Sequence, residues 1–158
     1  MSSAVLSSPS VERVRDALSR AGLADTIVEL PGAARTARAA ADYLGCDVAQ
    51  IANSLVFRCG ADPVLVMSSG AKRVDVARLA KVLGGAVDKA DADFVREHTG
   101  FVIGGVAPVG HGVARTFVEK SLAAFTELWA AAGHPHTVFR LSYADLVRIT
   151  GGAEVELA

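Results

Sequence analysis

Between Thr99 and Gly112 the chain sets five glycines and one proline into an otherwise apolar run, Thr99-Gly100-Phe101-Val102-Ile103-Gly104-Gly105-Val106-Ala107-Pro108-Val109-Gly110-His111-Gly112. A segment punctuated in this way cannot continue as an ordinary buried strand. Glycine admits positive φ and brings bare main-chain N–H groups close to a neighbour, and proline stiffens a turn. Two uses fit: a plain connection between core strands, or a surface that positions a carbonyl, an oxyanion or a phosphate through main-chain donors. The common phosphate motifs are absent, because no G-x-G-x-x-G opens a helix and no Lys-Ser or Lys-Thr follows the glycines.

The flanking sequence alternates short helices and short strands. Val11, Val14, Leu18 and Ala21 recur at helical spacing, with Ser8 or Ser10 as cap, Pro9 near the first turn and Gly22 at the stop. Thr26 to Leu30 reads as a strand ending at Pro31-Gly32, and a helix capped by Thr36 runs through Leu44 to Gly45. Ile51 to Arg58 and Pro63 to Met67 predict a hairpin turning at Cys59-Gly60-Ala61-Asp62. Asp75 caps a helix through Leu83, Ala86 to Asp88 is a short strand, and Asp91 opens a helix to His98. Beyond the glycine loop, Arg115 to Val118, Glu127 to Ala131 and Thr137 to Leu141 predict strands. Ser142-x-x-Asp145 then opens a last helix, and Ala153 to Leu157 forms a final strand. Strands outnumber helices and several follow one another directly. That pattern predicts an α+β domain with a mixed, curved sheet rather than a doubly wound parallel one.

Composition narrows the function classes. With 51% hydrophobic and 21% charged residues over 158 positions, the chain has the material for a single folded core, built from aliphatics because aromatics are only 6%. No internal repeat or linker divides it, so residues 11–158 are expected to form one domain behind a flexible lead-in of residues 1–10. That lead-in lacks the positive start of a signal peptide, and no apolar run approaches the ~20 residues of a membrane span. Cys46 and Cys59 form no C-x-x-C and sit at no metal-ligand spacing with histidine, so they read as small buried hydrophobes in a reducing, cytoplasmic setting. No metal site is expected. A formal net charge of −1 argues against tight binding to duplex DNA, while leaving room for a few local cations such as Arg35, Arg38, Arg58, Arg73 and Arg115 to grip an RNA end.

Taken together, Thr36 with Ala40-Ala41, Gln50 to Phe57, Val64-Leu65-Val66, Arg73-Val74-Asp75, Thr99-Gly100-Phe101, Gly104 to Pro108, Ala132-Gly133-His134 and Asp145-Leu146 form an ordered set. In order and spacing this set resembles the YbaK and prolyl-tRNA-synthetase editing-domain family, from about Arg35 onward. The resemblance implies a convoluted, mixed and partly barrel-like sheet with helices packed round it. It implies a cofactor-independent activity, hydrolysis of the ester joining a wrong amino acid to the 3′-terminal adenosine of tRNA. The partners it implies are aminoacyl-tRNA and a synthetase that mischarges it, prolyl-tRNA synthetase among the candidates, with no membrane.

Such an ester is already activated, so the enzyme has to align a water and stabilise an oxyanion, which main-chain amides do well. That role falls to the backbone of Gly104 and Gly105, with Pro108 fixing the loop and contributing to substrate binding. The family carries a lysine where this chain has Asn53. Asparagine offers neutral donors and an acceptor but no charge, which leaves three readings open: a variant ligand, a missing charge supplied by Lys72 or Arg58, or a chain that binds tRNA ends or a synthetase without catalysis. Ser54 lines the amino-acid pocket or bonds backbone, and His134 faces the pocket or shapes a turn. Glu119 follows a strand where relatives often carry an acidic residue, and the resemblance implies a contact to the substrate ammonium. His111 directly follows the glycine loop and is a candidate contact to substrate or RNA.

Overall fold

The computed structural model describes residues 4–34 and 36–157; Arg35, and residues 1–3 of the expected lead-in, lie outside the described residues. Among the described residues five α-helices pack against eight strands. They are α1 (Pro9–Arg20), β1 (Val28–Glu29), α2 (Ala37–Leu44), β2 (Ile51–Cys59), β3 (Asp62–Ser69), α3 (Val76–Leu83), β4 (Asp88–Lys89), α4 (Ala92–Thr99), β5 (Arg115–Glu119), β6 (Leu128–Ala131), β7 (Thr137–Leu141), α5 (Tyr143–Thr150) and β8 (Ala153–Val155). Short 3-10 turns at Val48–Gln50 and Lys120–Ala124 lead into β2 and out of β5. Helix α1 already begins at Pro9, so the boundary expected at residue 10 runs through its first turn.

Local chemistry explains where the helices start. Thr36, Asp75, Asp91 and Ser142 each accept a main-chain N–H from the first turn of α2, α3, α4 and α5, removing donors that a helix cannot satisfy itself. The same helices stop at Gly45, Gly84, Gly100 and Gly151, all in the left-handed region that other residues avoid.

The strands form one open sheet in the order β1-β7-β6-β2-β3-β5-β8, with β4 attached to β2 off this path. The sheet is mixed, as the sequence predicts: β2 pairs antiparallel with β3 and β4 but parallel with β6, and β3–β5 and β5–β8 are parallel. It is open-ended, so the barrel-like element of the expected fold stops short of closure.

Strand β3 lies inside the sheet, between β2 and β5. Val64, Leu65, Val66 and Met67 are all fully buried, because helices cover both faces. Leu65 and Met67 point into one core with Val14 and Leu18 of α1, Val118 of β5 and Leu146 of α5. Val64 and Val66 point into a second with Phe57, Phe117, Leu79 of α3 and Leu157. A third, smaller core joins α2 to Leu30, Ile51 and Val138.

Candidate active site

The decisive feature of the topology is a break in pairing along one edge of β2. Its other edge is fully occupied by β3, from Ala52 to Cys59. On the broken edge β6 pairs only with Ile51 and Ala52, and β4 only with Phe57 and Arg58. Residues Asn53 to Val56 therefore face no strand there. The glycine loop fills the opening: Ile103, Gly104 and Val106 line the cavities on both sides of it, together with Asn53, Ser54 and Leu55.

These two cavities differ in chemistry. The smaller, about 180 Å³, has no charged side chain in its lining, which joins short residues such as Thr36, Ala40, Ala52 and Ala130 to Ile51, Leu55 and Trp129. The larger, about 630 Å³, is apolar at its floor through Phe57, Val74 and Val95, and carries Lys72, Arg73 and Lys89 with no carboxylate in its lining. None of these three cations forms an ion pair among the described residues. A third cavity of about 660 Å³ lies on the other side of Ile103 and Gly104 and is lined by Phe101, His134, Pro135 and His136.

The loop is held from beneath. Arg13 of α1 stacks its guanidinium 4.2 Å from the Phe101 ring centroid and reaches the Thr99 carbonyl. The Thr99 hydroxyl accepts from Phe101 N–H, and the Gly105 N–H donates to the Val102 carbonyl at 2.9 Å, closing a tight turn. Gly104 sits at φ +89°, and a side chain at Gly105 would meet the main chain of His134 at 3.0 Å, so the loop needs both glycines for different reasons. The amides of Gly104 and Val106 donate to nothing within the described chain.

His111 clasps the far end of the loop. Its Nε2 lies 3.0 Å from the Pro108 carbonyl, and its Nδ1 accepts from Val113 N–H at 3.1 Å, which assigns the proton to Nε2. Burial holds its pKa below the ordinary histidine value against the raising effect of the Pro108 bond, and the Arg13 charge pushes the same way as burial.

Of the residues singled out in the sequence, Asn53, Ser54, Lys72 and Gly104 meet around one cleft. No hydrogen bond within the described chain involves the Asn53 amide, while Ser54 Oγ lies 3.3 Å from the Met67 sulfur. His134 lines the neighbouring cavity; its Nδ1 accepts from His136 N–H, and burial with the nearby His136 lowers its pKa against the pull of Glu29.

Four residues are placed otherwise. The Gly105 amide is spent in its own turn, which leaves the main-chain amides of Gly104 and Val106 as the unbonded donors there among the described residues. Pro108 is buried beneath the loop and borders a separate depression with Arg20 and His111, away from the cleft. Glu119 is 4% exposed, lines none of these cavities and gives its carboxylate to main-chain amides. Arg58 stacks over Phe94 at 4.8 Å instead of entering the cleft, which leaves Lys72 as the nearer source of charge. Sequence reasoning passed over Ile103, Val106 and Lys89 as site residues. Lys89 is the second residue of the two-residue strand β4, and its pairing opposite Phe57 brings it to the cleft.

Residues 32–149 match the aminoacyl-tRNA editing domain family. The uncharacterized protein YwhH of Bacillus subtilis (strain 168) is 27% identical over 140 residues, covering 87% of this chain and 88% of that protein. A proline–tRNA ligase of Oleidesulfovibrio alaskensis is 26% identical over 118 residues, and the match covers 73% of this chain but only 21% of the ligase. Among solved structures, a candidate trans-editing enzyme for prolyl tRNA synthetase is 39% identical, superposes with a TM-score of 0.88, and is matched over 95% of this chain and 97% of its own. With its glycine loop and both cavities of the cleft inside the matched region, which spans most of the sequence, the chain belongs to the aminoacyl-tRNA editing domain family.

Proposed function

We propose that this protein is a trans-acting hydrolase that removes a small, wrongly attached amino acid from the 3′-terminal adenosine of a tRNA. The observation that carries the reading is the pair of unlike cavities meeting at Gly104. One is small and has no charged side chain in its lining, the other is rimmed by three unpaired cations. An aminoacyl-adenosine has the same division, a small side chain on one side of the ester and a phosphodiester chain on the other.

With the ester carbonyl at the loop, the free amides of Gly104 and Val106 stabilise the negative charge that develops on its oxygen. Water adds to the carbonyl carbon, the bond to the ribose oxygen breaks, and that oxygen leaves with a proton as a hydroxyl. No strong protein nucleophile is required, since the ester is activated and positioning supplies much of the acceleration. The substrate's other terminal hydroxyl assists by orienting the water. Asn53 hydrogen-bonds the ribose or phosphate as a neutral group, Lys72, Arg73 and Lys89 hold the phosphates, Ser54 faces the amino-acid side chain, and His134 supports the loop side of the cleft as a neutral imidazole. Prolyl-tRNA synthetase, which mischarges such a tRNA, is the natural partner, and the cytoplasm the natural setting.

The test is release of free amino acid from a panel of mischarged tRNAs. Turnover is expected with one or more of alanine, cysteine, serine and threonine, the small side chains that suit a cavity of about 180 Å³ bearing Ser54 and several alanines. Binding of the same tRNAs with no release of any amino acid would replace the hydrolase by a tRNA-end binding module, the reading that the neutral Asn53 keeps open.

A further inference from the structure

Glu119 is a buried carboxylate without a cation. It is 4% exposed, its Oε1 accepts from Ser121 N–H at 3.0 Å, and its Oε2 accepts from Leu157 N–H at 2.5 Å. A carboxylate in such a place is costly unless hydrogen-bonded, and two main-chain donors are a good answer to that cost. The second donor has consequences elsewhere. Leu157 is fully buried in the core with Val74 and Leu79, and its carbonyl accepts from Asp75 N–H at 2.5 Å. Asp75 in turn caps α3 through Ala77 and Arg78 N–H. Only the short segment 70–74 separates β3 from Asp75, and that segment carries Lys72 and Arg73 into the cleft.

We infer that Glu119 is a positioning residue: through Leu157 and Asp75 it fixes the segment that presents Lys72 and Arg73 to the tRNA end. The inference rests on the reading of the cleft as a tRNA-end site. Glu119 touches no substrate. Its carboxylate accepts from residue 157 on the β5 side, and the carbonyl of residue 157 accepts from Asp75 at the start of α3. Isosteric Glu119→Gln keeps the volume but turns one acceptor into an N–H₂ group facing a donor, so one of the two bonds is lost. Leu157→Pro removes the donor at the other end and leaves Glu119 untouched. Leu146→Ala weakens the opposite core and serves as the control for general loss of stability.

Hydrogen exchange of the free protein tests the latch without any ligand. Amides of residues 72–78 are expected to exchange faster in Glu119→Gln and Leu157→Pro and unchanged in Leu146→Ala; unchanged exchange there in Glu119→Gln overturns the latch. Steady-state deacylation then tests its purpose. Glu119→Gln should raise KM for mischarged tRNA roughly fivefold while kcat stays within about twofold, since the cations bind phosphate and the amides of the loop do the chemistry. Equal affinity in wild type and variant overturns the link to the cationic rim, as does failure of the wild type to bind tRNA. Should the wild type bind tRNA but release no amino acid, the hydrolase reading fails on its own, and the same comparison is made on Kd for uncharged tRNA.

Discussion

Gly104 and Gly105 are adjacent, yet the structure asks different things of them. At Gly104 the obstacle is conformational: φ +89° costs an alanine about 1–2 kcal/mol, while the space beside it is open to 3.7 Å. At Gly105 the obstacle is the main chain of His134 at 3.0 Å. Gly104→Ala is therefore expected to fold with a small loss of stability and to lose about tenfold or more in kcat, because the amide it carries shifts from the carbonyl oxygen. Gly105→Ala should lose more stability, as the loop and the turn at Gly133–His136 have to part. Thermal unfolding beside single-turnover rates separates the two, and full turnover in Gly104→Ala would remove that amide from the mechanism. At Asn53 the expectation runs the other way. Asn53→Lys adds a charge to the face that already carries Lys72, Arg73 and Lys89, so kcat/KM on a mischarged tRNA should rise by about threefold or more. Much of this was readable residue by residue, since Asn53, Ser54, Lys72 and Gly104 do converge. Glu119 and Pro108 were misplaced because a residue at a strand end or in a loop can face cleft or core, and only pairing with other strands decides which.

At the level of elements the helices were the most legible part of the chain. Thr36, Asp75, Asp91 and Ser142 stand where caps belong, and a glycine closes each of the four helices that they open. The 3-10 turns at Val48–Gln50 and Lys120–Ala124 were not, because three to five residues are too few to show a period. The glycine loop is an element too, and His111 makes its closure sensitive to pH. The proton sits on Nε2, so acid adds a second proton at Nδ1, and the bond from Val113 N–H is lost. Since the folded pKa lies below the unfolded value, the unfolded chain binds the extra proton first. The stabilisation is thus fully present above about pH 6.5 and is lost as pH falls from there through the lowered folded value. Unfolding midpoints measured from pH 8 to pH 5 should fall less steeply on the acid side for His111→Gln than for the wild type. Parallel curves would assign the acid loss to other groups, His134 first among them.

For the molecule as a whole, the parallel pairings of β2 with β6 and β3 with β5 join segments that lie far apart in the chain, and no local pattern announces them. The break in the edge of β2 follows from those pairings, and with it the cleft. A short strand such as β4 looks trivial in sequence, yet it ends the break and delivers Lys89. A formal net charge of −1 for the whole chain is compatible with a local positive rim, since Lys72, Arg73 and Lys89 line the larger cavity and no carboxylate does. This gives a salt dependence with a definite size. If Lys72, Arg73 and Lys89 each neutralise one phosphate of a single-stranded end, log K for uncharged tRNA should fall with log salt at a slope of about −2, from roughly −0.7 per contact. Replacing any one of them with alanine should flatten the slope by about 0.7, and Arg115→Ala, whose guanidinium lies over Phe117 outside this cleft, should leave it unchanged. Affinities titrated from low to physiological salt decide the matter. A wild-type slope that none of the three substitutions alters would mean that the phosphates run elsewhere, and the larger cavity would then have to be assigned to the base of the terminal nucleotide instead of its backbone.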